Sequence, residues 1–155
     1  MRRKNIAVFC IFCSIFIFMV GCEKTITEAY QYPVVPGMEE WKKLKSLPEM
    51  AEACQIPEDI LDCMTTEALI ETVVNYPLFG NVFAYENKNT GLEHVKGYFN
   101  GLQELYERDD AIEKMGIYIG ENFKNLEDLN EKFRKQFAEL ILNNIKETER
   151  NKTIT

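Results

Sequence analysis

The stretch Leu92-Glu93-His94-Val95-Lys96-Gly97-Tyr98-Phe99-Asn100-Gly101-Leu102-Gln103-Glu104-Leu105-Tyr106 decides the fold class. At about 100° per residue, Leu92, Val95, Phe99, Leu102 and Tyr106 fall on one face, and His94, Tyr98 and Leu105 widen it to one side. Glu93, Lys96, Asn100, Gln103, Glu104 and Glu107 occupy the opposite arc. An apolar arc this wide predicts a helix packed against more than one neighbour. Thr90-Gly91-Leu92-Glu93 has capping-box spacing, so the helix is expected to start there.

Helical signals continue on both sides. Downstream, Arg108-Asp109-Asp110 interrupts the period and caps a helix with Ile112, Met115, Ile119 and Phe123 inward. Asn125 with Asp128 opens the last helix, whose stripe runs Leu126, Leu129, Phe133, Phe137, Leu140, Ile141 and Ile145. Upstream, Thr65 or Thr66 caps a helix striped by Leu69, Ile70, Val73 and Val74. Tyr76-Pro77 ends it, because a residue before proline avoids the α region. Residues 78–85 fit a short helix or a strand, and their context favours helix. Ser46 and Glu49 form a capping box around Pro48, Pro57 opens another short helix, and Glu39 to Lys45 is a short charged one. All five prolines lie at or before Pro77, leaving the second half free to form long helices. The prediction is one compact all-α, bundle-like domain of five to seven helices over residues 38–148, with a frayed tail over 149–155.

The chain has 155 residues, enough for a single core. With 46% hydrophobic and 12% aromatic residues, global disorder is excluded. A net charge of -7 argues against nucleic acid as a partner, since binding it requires a basic surface. One histidine excludes zinc sites that need two, and no calcium loop, P-loop, dinucleotide fingerprint or zincin motif occurs. No cofactor, metal ligand set or catalytic residue is therefore expected.

The N-terminus has a different character. Arg2, Arg3 and Lys4 precede an apolar run from Ile6 to Val20, and Gly21-Cys22 follows. This is the layout of a secretory signal over residues 1–21. The run reaches only about 22 Å as a helix, short of the roughly 30 Å hydrocarbon core. Met19-Val20-Gly21-Cys22 resembles the lipobox of bacterial lipoprotein signals, with Met19 where leucine is commonest. The resemblance implies cleavage before Cys22 and lipid attachment to it, anchoring the chain in a bacterial cell membrane. Cleavage removes three positive charges and no acid, so the mature chain is more acidic still. An anionic bilayer should repel it. Residues 22–37, with Pro33, Pro36 and Gly37, read as a tether able to span about 45 Å if extended. Tyr30, Tyr32, Val34 and Val35 are apolar enough that part of it is expected to dock.

Candidate chemistry in the body is sparse. Cys54 and Cys63 flank a turn, but in an antiparallel hairpin Cys63 sits too deep to meet Cys54, so two separate buried thiols are expected. His94 lies on a helix flank, and no motif pairs it with either cysteine. Gly97 with Gly101, and Gly116 with Gly120, are spaced as notches for a close neighbour. Glycine costs nearly 1 kcal/mol against alanine in a helix, so packing should compensate. The aromatics Tyr76, Phe79, Phe83 and Tyr85, near the bend at Pro77, are the candidate binding surface for a peptide or glycan. The competing reading makes them a corner of the core.

The block Leu47 to Pro57, followed by Thr66 to Thr72, Asn75-Tyr76-Pro77-Leu78 and Phe99 to Leu105, resembles an uncharacterised family of exported bacterial helical lipoproteins, including those of gut-type anaerobes. The resemblance implies export and a helical domain and carries no activity. The expected function is that of a cell-envelope lipoprotein whose helical domain binds a peptide, protein or glycan, or serves a structural role. An envelope enzyme with an acidic cleft and an accessory subunit of a membrane-associated complex are the alternatives.

Overall fold

The computed structural model describes residues 24–124 and 127–154; Cys22, the residues before it, Asn125 and Leu126 lie outside that range. The described residues form eight α-helices and one 3₁₀ helix. These are α1 (Glu39–Lys43), α2 (Leu47–Ala53), α3 (Glu58–Leu61), α4 (Thr66–Val74), the 3₁₀ helix (Phe79–Ala84), α5 (Lys88–Lys96), α6 (Asn100–Glu107), α7 (Ala111–Asn122) and α8 (Leu129–Ile154). The architecture is all-α. No helix among the described residues is long and apolar enough to cross a membrane.

Helix α4 is the hub. Seven of its nine residues are buried, including Thr66 and Thr72, and it packs against α6, α7 and α8. Thr65 caps it by accepting from the Ala68 N–H at 3.2 Å. Its two buried hydroxyls are satisfied: Thr66 donates to Asp110 at the start of α7, and Thr72 donates to the Ala68 carbonyl. Around α4 the core closes with Leu92, Val95, Phe99, Leu102, Met115, Phe137 and Ile141, all fully buried. Tyr106 ties α6 to α8 by donating to Asn144 at 2.8 Å.

The long helix expected from Leu92 to Tyr106 is two helices. The chain leaves helical geometry at Phe99, whose φ and ψ are -118° and 109°. The apolar face still points inward on both sides of the break, so the burial pattern survives while continuity does not. Two amide side chains make the break possible. Gln55 Nε2 donates to the Tyr98 carbonyl at 2.8 Å, and Gln55 Oε1 accepts from the Asn100 N–H at 3.2 Å. Asn100 in turn accepts from the Ile56 N–H at 3.1 Å and donates to the Ile56 carbonyl at 2.6 Å. Gln55 thus takes over two backbone groups that a continuous helix would have paired, and the Asn100 side chain does the same for the Ile56 backbone in the turn after α2.

Several helix ends differ from expectation. Asn87 caps α5 by accepting from the Asn89 N–H, so Thr90 sits inside the helix and forms no capping box. At α2 the Ser46 hydroxyl accepts from the Glu49 N–H as expected, but Glu49 reaches back one residue further, to the Lys45 N–H. Asp128 caps α8 through the N–H groups of Asn130 and Glu131. The tail expected to fray from Glu149 stays helical to Ile154, because no proline or glycine interrupts it and Thr153 donates back to the Glu149 carbonyl.

Residues 24–37 contain no helix, yet they do not hang free as a tether. Ile26 pairs with the 63–65 segment: its N–H donates to the Cys63 carbonyl at 2.8 Å and its carbonyl accepts from the Thr65 N–H at 2.9 Å. The Tyr30 N–H then donates to Thr72 Oγ1 and the Tyr32 hydroxyl to the Thr72 carbonyl. The docking side of the sequence reading therefore holds. Gly37 closes this segment with φ of +101°, a left-handed conformation that favours glycine.

The glycine notches divide. A Cβ on Gly101 would lie 2.7 Å from Ile56 Cδ1 and 2.6 Å from Phe99 Cζ, so this position is a packed notch. Gly116 and Gly120 face open space and serve no close approach. The tightest notch, Gly91, was not expected: a Cβ there would lie 2.3 Å from the Val82 carbonyl oxygen, where α5 crosses the 3₁₀ helix. Gly91→Ala is expected to destabilise the domain by about 1–3 kcal/mol through overpacking. Gly120→Ala should stabilise it by up to about 1 kcal/mol through helix propensity. Urea denaturation of the two variants checks the contrast; equal effects would remove the packing argument.

Candidate functional site

Among the described residues a cleft of about 670 Å³ is bounded by Val35 and Pro36, by the turn from Asn75 to Phe79, and by the start of α8. Three independent segments build it. The tyrosine contacts with Thr72 bring 35–36 alongside α4. Pro77 follows the end of α4, and Phe79 opens the 3₁₀ helix half-buried against Phe137. The Asp128 cap fixes where α8 begins.

Arg134 is the cationic side chain of the cleft. It is half-buried, its guanidinium carbon sits 5.9 Å from the centre of the Phe79 ring, and its buried Nε has no hydrogen-bond partner. The other half-buried arginine, Arg108, is ion-paired: Nε lies 2.7 Å from Glu104 without hydrogen-bond geometry, and its terminal nitrogens donate to the Met64 and Leu61 carbonyls. Asn75, Asn130, Asp128 and Glu131 complete the polar lining. Asn75 already donates to the Glu71 carbonyl at 2.9 Å, and Asp128 Oδ1 is committed to the helix cap.

The four aromatics singled out in the sequence do not form one surface. Tyr76 is fully buried and stacks on Phe99 with ring centres 3.9 Å apart. Burial pushes its phenol far above the usual tyrosine range, and its hydroxyl has no partner. Phe79 lines the cleft, between Arg134 and Phe137. Phe83 packs on Phe133, with the Lys88 ammonium 5.6 Å from its ring. Tyr85 is exposed and stacks on His94 at 5.0 Å. Two of the four thus line or support the cleft, and the other two belong to neighbouring contacts.

Arg134 was missed by the sequence reading, although a signal existed. It lies three residues before Phe137 and seven before Ile141, on the inward stripe of α8. An arginine on an apolar stripe points its charge into the fold unless the helix end opens onto a cavity, as here.

The remaining candidates are separate. Cys54 is a free, fully buried thiol, and Cys63 is disulfide-bonded, so the two are not joined to each other, as expected. Cys63 is only half-buried and is not the second buried thiol the spacing suggested. His94 is at the surface, away from any role with Cys54. Burial pushes the Cys54 thiol up to about 11. A second groove of about 460 Å³ lies between α2 and the α5–α6 break, edged by Leu47, Ala51, Gln55 and Tyr98. A smaller one holds the Glu67–Lys114 ion pair at 2.6 Å. The hydrogen bond from Lys114 holds the Glu67 carboxyl below the usual range, the opposite of what a general acid needs. Among the described residues no three His, Cys, Asp or Glu side chains are grouped to hold a metal ion.

Comparisons with protein-family models, with curated proteins and with solved structures found no match.

The Cys54 thiol should resist alkylation by iodoacetamide at pH 8 in the native protein and react fully in denaturant, read by mass spectrometry of its peptide. The sign of the linkage follows from the raised thiol: its contribution to stability is complete below the unfolded thiol range and is lost as pH rises through about 11. Rapid native labelling at pH 8 would show that α2 opens locally.

Proposed function

We propose that this chain is a cell-envelope lipoprotein, anchored by lipid at Cys22, whose helical domain binds a ligand in the cleft beneath Arg134. The observation that carries the anchoring is the order Arg2-Arg3-Lys4, apolar run, Met19-Val20-Gly21-Cys22. A diacylglycerol thioether with an added N-acyl chain supplies about 0.8 kcal/mol per buried methylene, enough for stable attachment where one chain is not. The resemblance of the Leu47–Pro57 block and its partners to exported helical lipoproteins favours the same reading. The cleft supports the binding half of the proposal, because it gathers an aromatic, a cation, amides and carboxylates from three segments.

The clamp at Ile26 refines the geometry of anchoring. Only three residues separate Cys22 from Ile26, and an extended stretch of four steps reaches about 14 Å. The body is then held close to the bilayer, not on a spacer of about 45 Å as the full 22–37 segment would allow. Charge repulsion sets the tilt and not the distance.

Labelling of expressing cells with a palmitate analogue tests the anchor. The native chain should take up label and fractionate with membranes, and Cys22→Ser should lose both. Cys63 is disulfide-bonded and Cys54 is not its partner, so lipid on Cys22 requires that the Cys63 bond run to a cysteine other than Cys22. A native protein whose Cys22 is recovered unacylated, or disulfide-linked to Cys63, would overturn the proposal, because a thioether sulfur is excluded from disulfide exchange. So would a Cys22→Ser variant that stays with the membrane.

A further inference from the structure

We infer that the cleft between residues 35–36, the 75–79 turn and α8 is a carboxylate-binding site in which the Arg134 guanidinium is the recognition group. The inference rests on reading that cleft as a ligand site and deepens it by naming the chemistry of the ligand. Arg134 is the point of departure. Its side chain lines the cleft and forms no ion pair among the described residues, and its buried Nε has no partner there, so the guanidinium is less fully paired within the protein than that of Arg108. Two carboxylates stand on the same helix within six residues, yet neither completes it: Asp128 is engaged by the N–H groups of Asn130 and Glu131, and Glu131 forms no ion pair with Arg134. The Phe79 ring centre lies 5.9 Å from the guanidinium carbon, and the terminal nitrogens, which make no hydrogen bond among the described residues, are the fork a ligand would meet. A planar carboxylate matches that fork with two parallel hydrogen bonds.

The rim narrows the ligand further. Asp128 and Glu131 place negative charge beside Arg134, which disfavours a multiply charged anion such as phosphate. A ligand with one carboxylate escapes most of that repulsion, and an ammonium on the same molecule would be attracted to the acidic side. Asn75 and Asn130 offer amides for a flanking peptide bond or hydroxyl. The volume of about 670 Å³ admits a molecule the size of a short peptide end or a small free acid. Both sources share the carboxylate.

The test uses the full chain in detergent micelles, with N-acetyl-alanyl-alanine, its C-terminal carboxamide, acetate and inorganic phosphate as probes, by titration calorimetry. The free-acid dipeptide should bind and its carboxamide should not. Arg134→Gln should weaken binding by about tenfold or more, the loss of a charge-assisted pair, and Arg134→Lys should fall between. Acetate binding as tightly as the dipeptide marks a site for small free acids; a large advantage for the dipeptide marks a chain terminus. Thermal midpoints of the variants report folding, and should Arg134→Gln fail to fold, Arg134→Lys and the carboxamide comparison still decide. Equal binding of acid and carboxamide, phosphate binding as tightly as the dipeptide, or no saturation by either carboxylate at millimolar concentration would overturn the inference. If a neutral peptide or glycan alone shifts the Asn75 side-chain resonance, the carboxylate assignment falls while the ligand-cleft reading stands.

Discussion

The exchange of hydrogen bonds between Gln55, Ile56, Tyr98 and Asn100 is the constraint on which the arrangement of the domain depends. A helix that breaks beside the core leaves N–H and C=O groups without helical partners, each costing about 1–3 kcal/mol where it is buried and unpaired. Here the Gln55 side chain takes those groups over while the Asn100 side chain pairs with the Ile56 backbone, so the chain turns between α5 and α6 without orphaning them. The turn lets α5 lie against the 3₁₀ helix while α6 lies against α4. A straight helix of the same length would have to choose one of those neighbours. The close approaches at Gly91 and Gly101 belong to the same arrangement, since each serves one arm of the broken helix.

Much of this architecture was legible because burial is written in residue type. The inward positions of α4, α6 and α7 follow the apolar period, and Leu92, Val95, Phe99, Leu102 and Leu105 are buried as their spacing requires. The break at Phe99 was illegible because the groups that stabilise it lie 43 to 45 residues away: Gln55 pairs with the Tyr98 carbonyl and the Asn100 N–H, and Ile56 pairs with the Asn100 side chain. The same holds for the start of α5. Asn87 and Thr90 are both good caps by type, and the approach of Val82 to Gly91 accompanies the earlier start. Gly116 and Gly120 show the reverse: identical spacing to Gly97 and Gly101, with nothing packed on them.

The cleft was half legible. Proline at position 77 marked a bend and the aromatics around it marked apolar surface, which located Phe79 correctly. Their distribution among core, cleft and surface depends on how α8 crosses the bend, a tertiary fact. Arg134 escaped notice because an arginine on a helix is most often solvated, and only its place on the Phe137–Ile141 stripe distinguishes it. The sequence likewise presented 22–37 as a spacer, whereas Thr72, a buried polar residue of α4, holds that segment through its hydroxyl and its carbonyl at once.

The pairing of Ile26 with the 63–65 segment gives the domain a mechanical fuse. Tension passing along the described backbone from Lys24 meets first the two hydrogen bonds that Ile26 makes with its parallel neighbour. The contacts of Tyr30 and Tyr32 on Thr72 form a second stop. Val35 and Pro36, which wall the cleft, come only after both. A tug on the leading end is therefore absorbed upstream of the cavity, and the pocket keeps its shape while the strand before it strains.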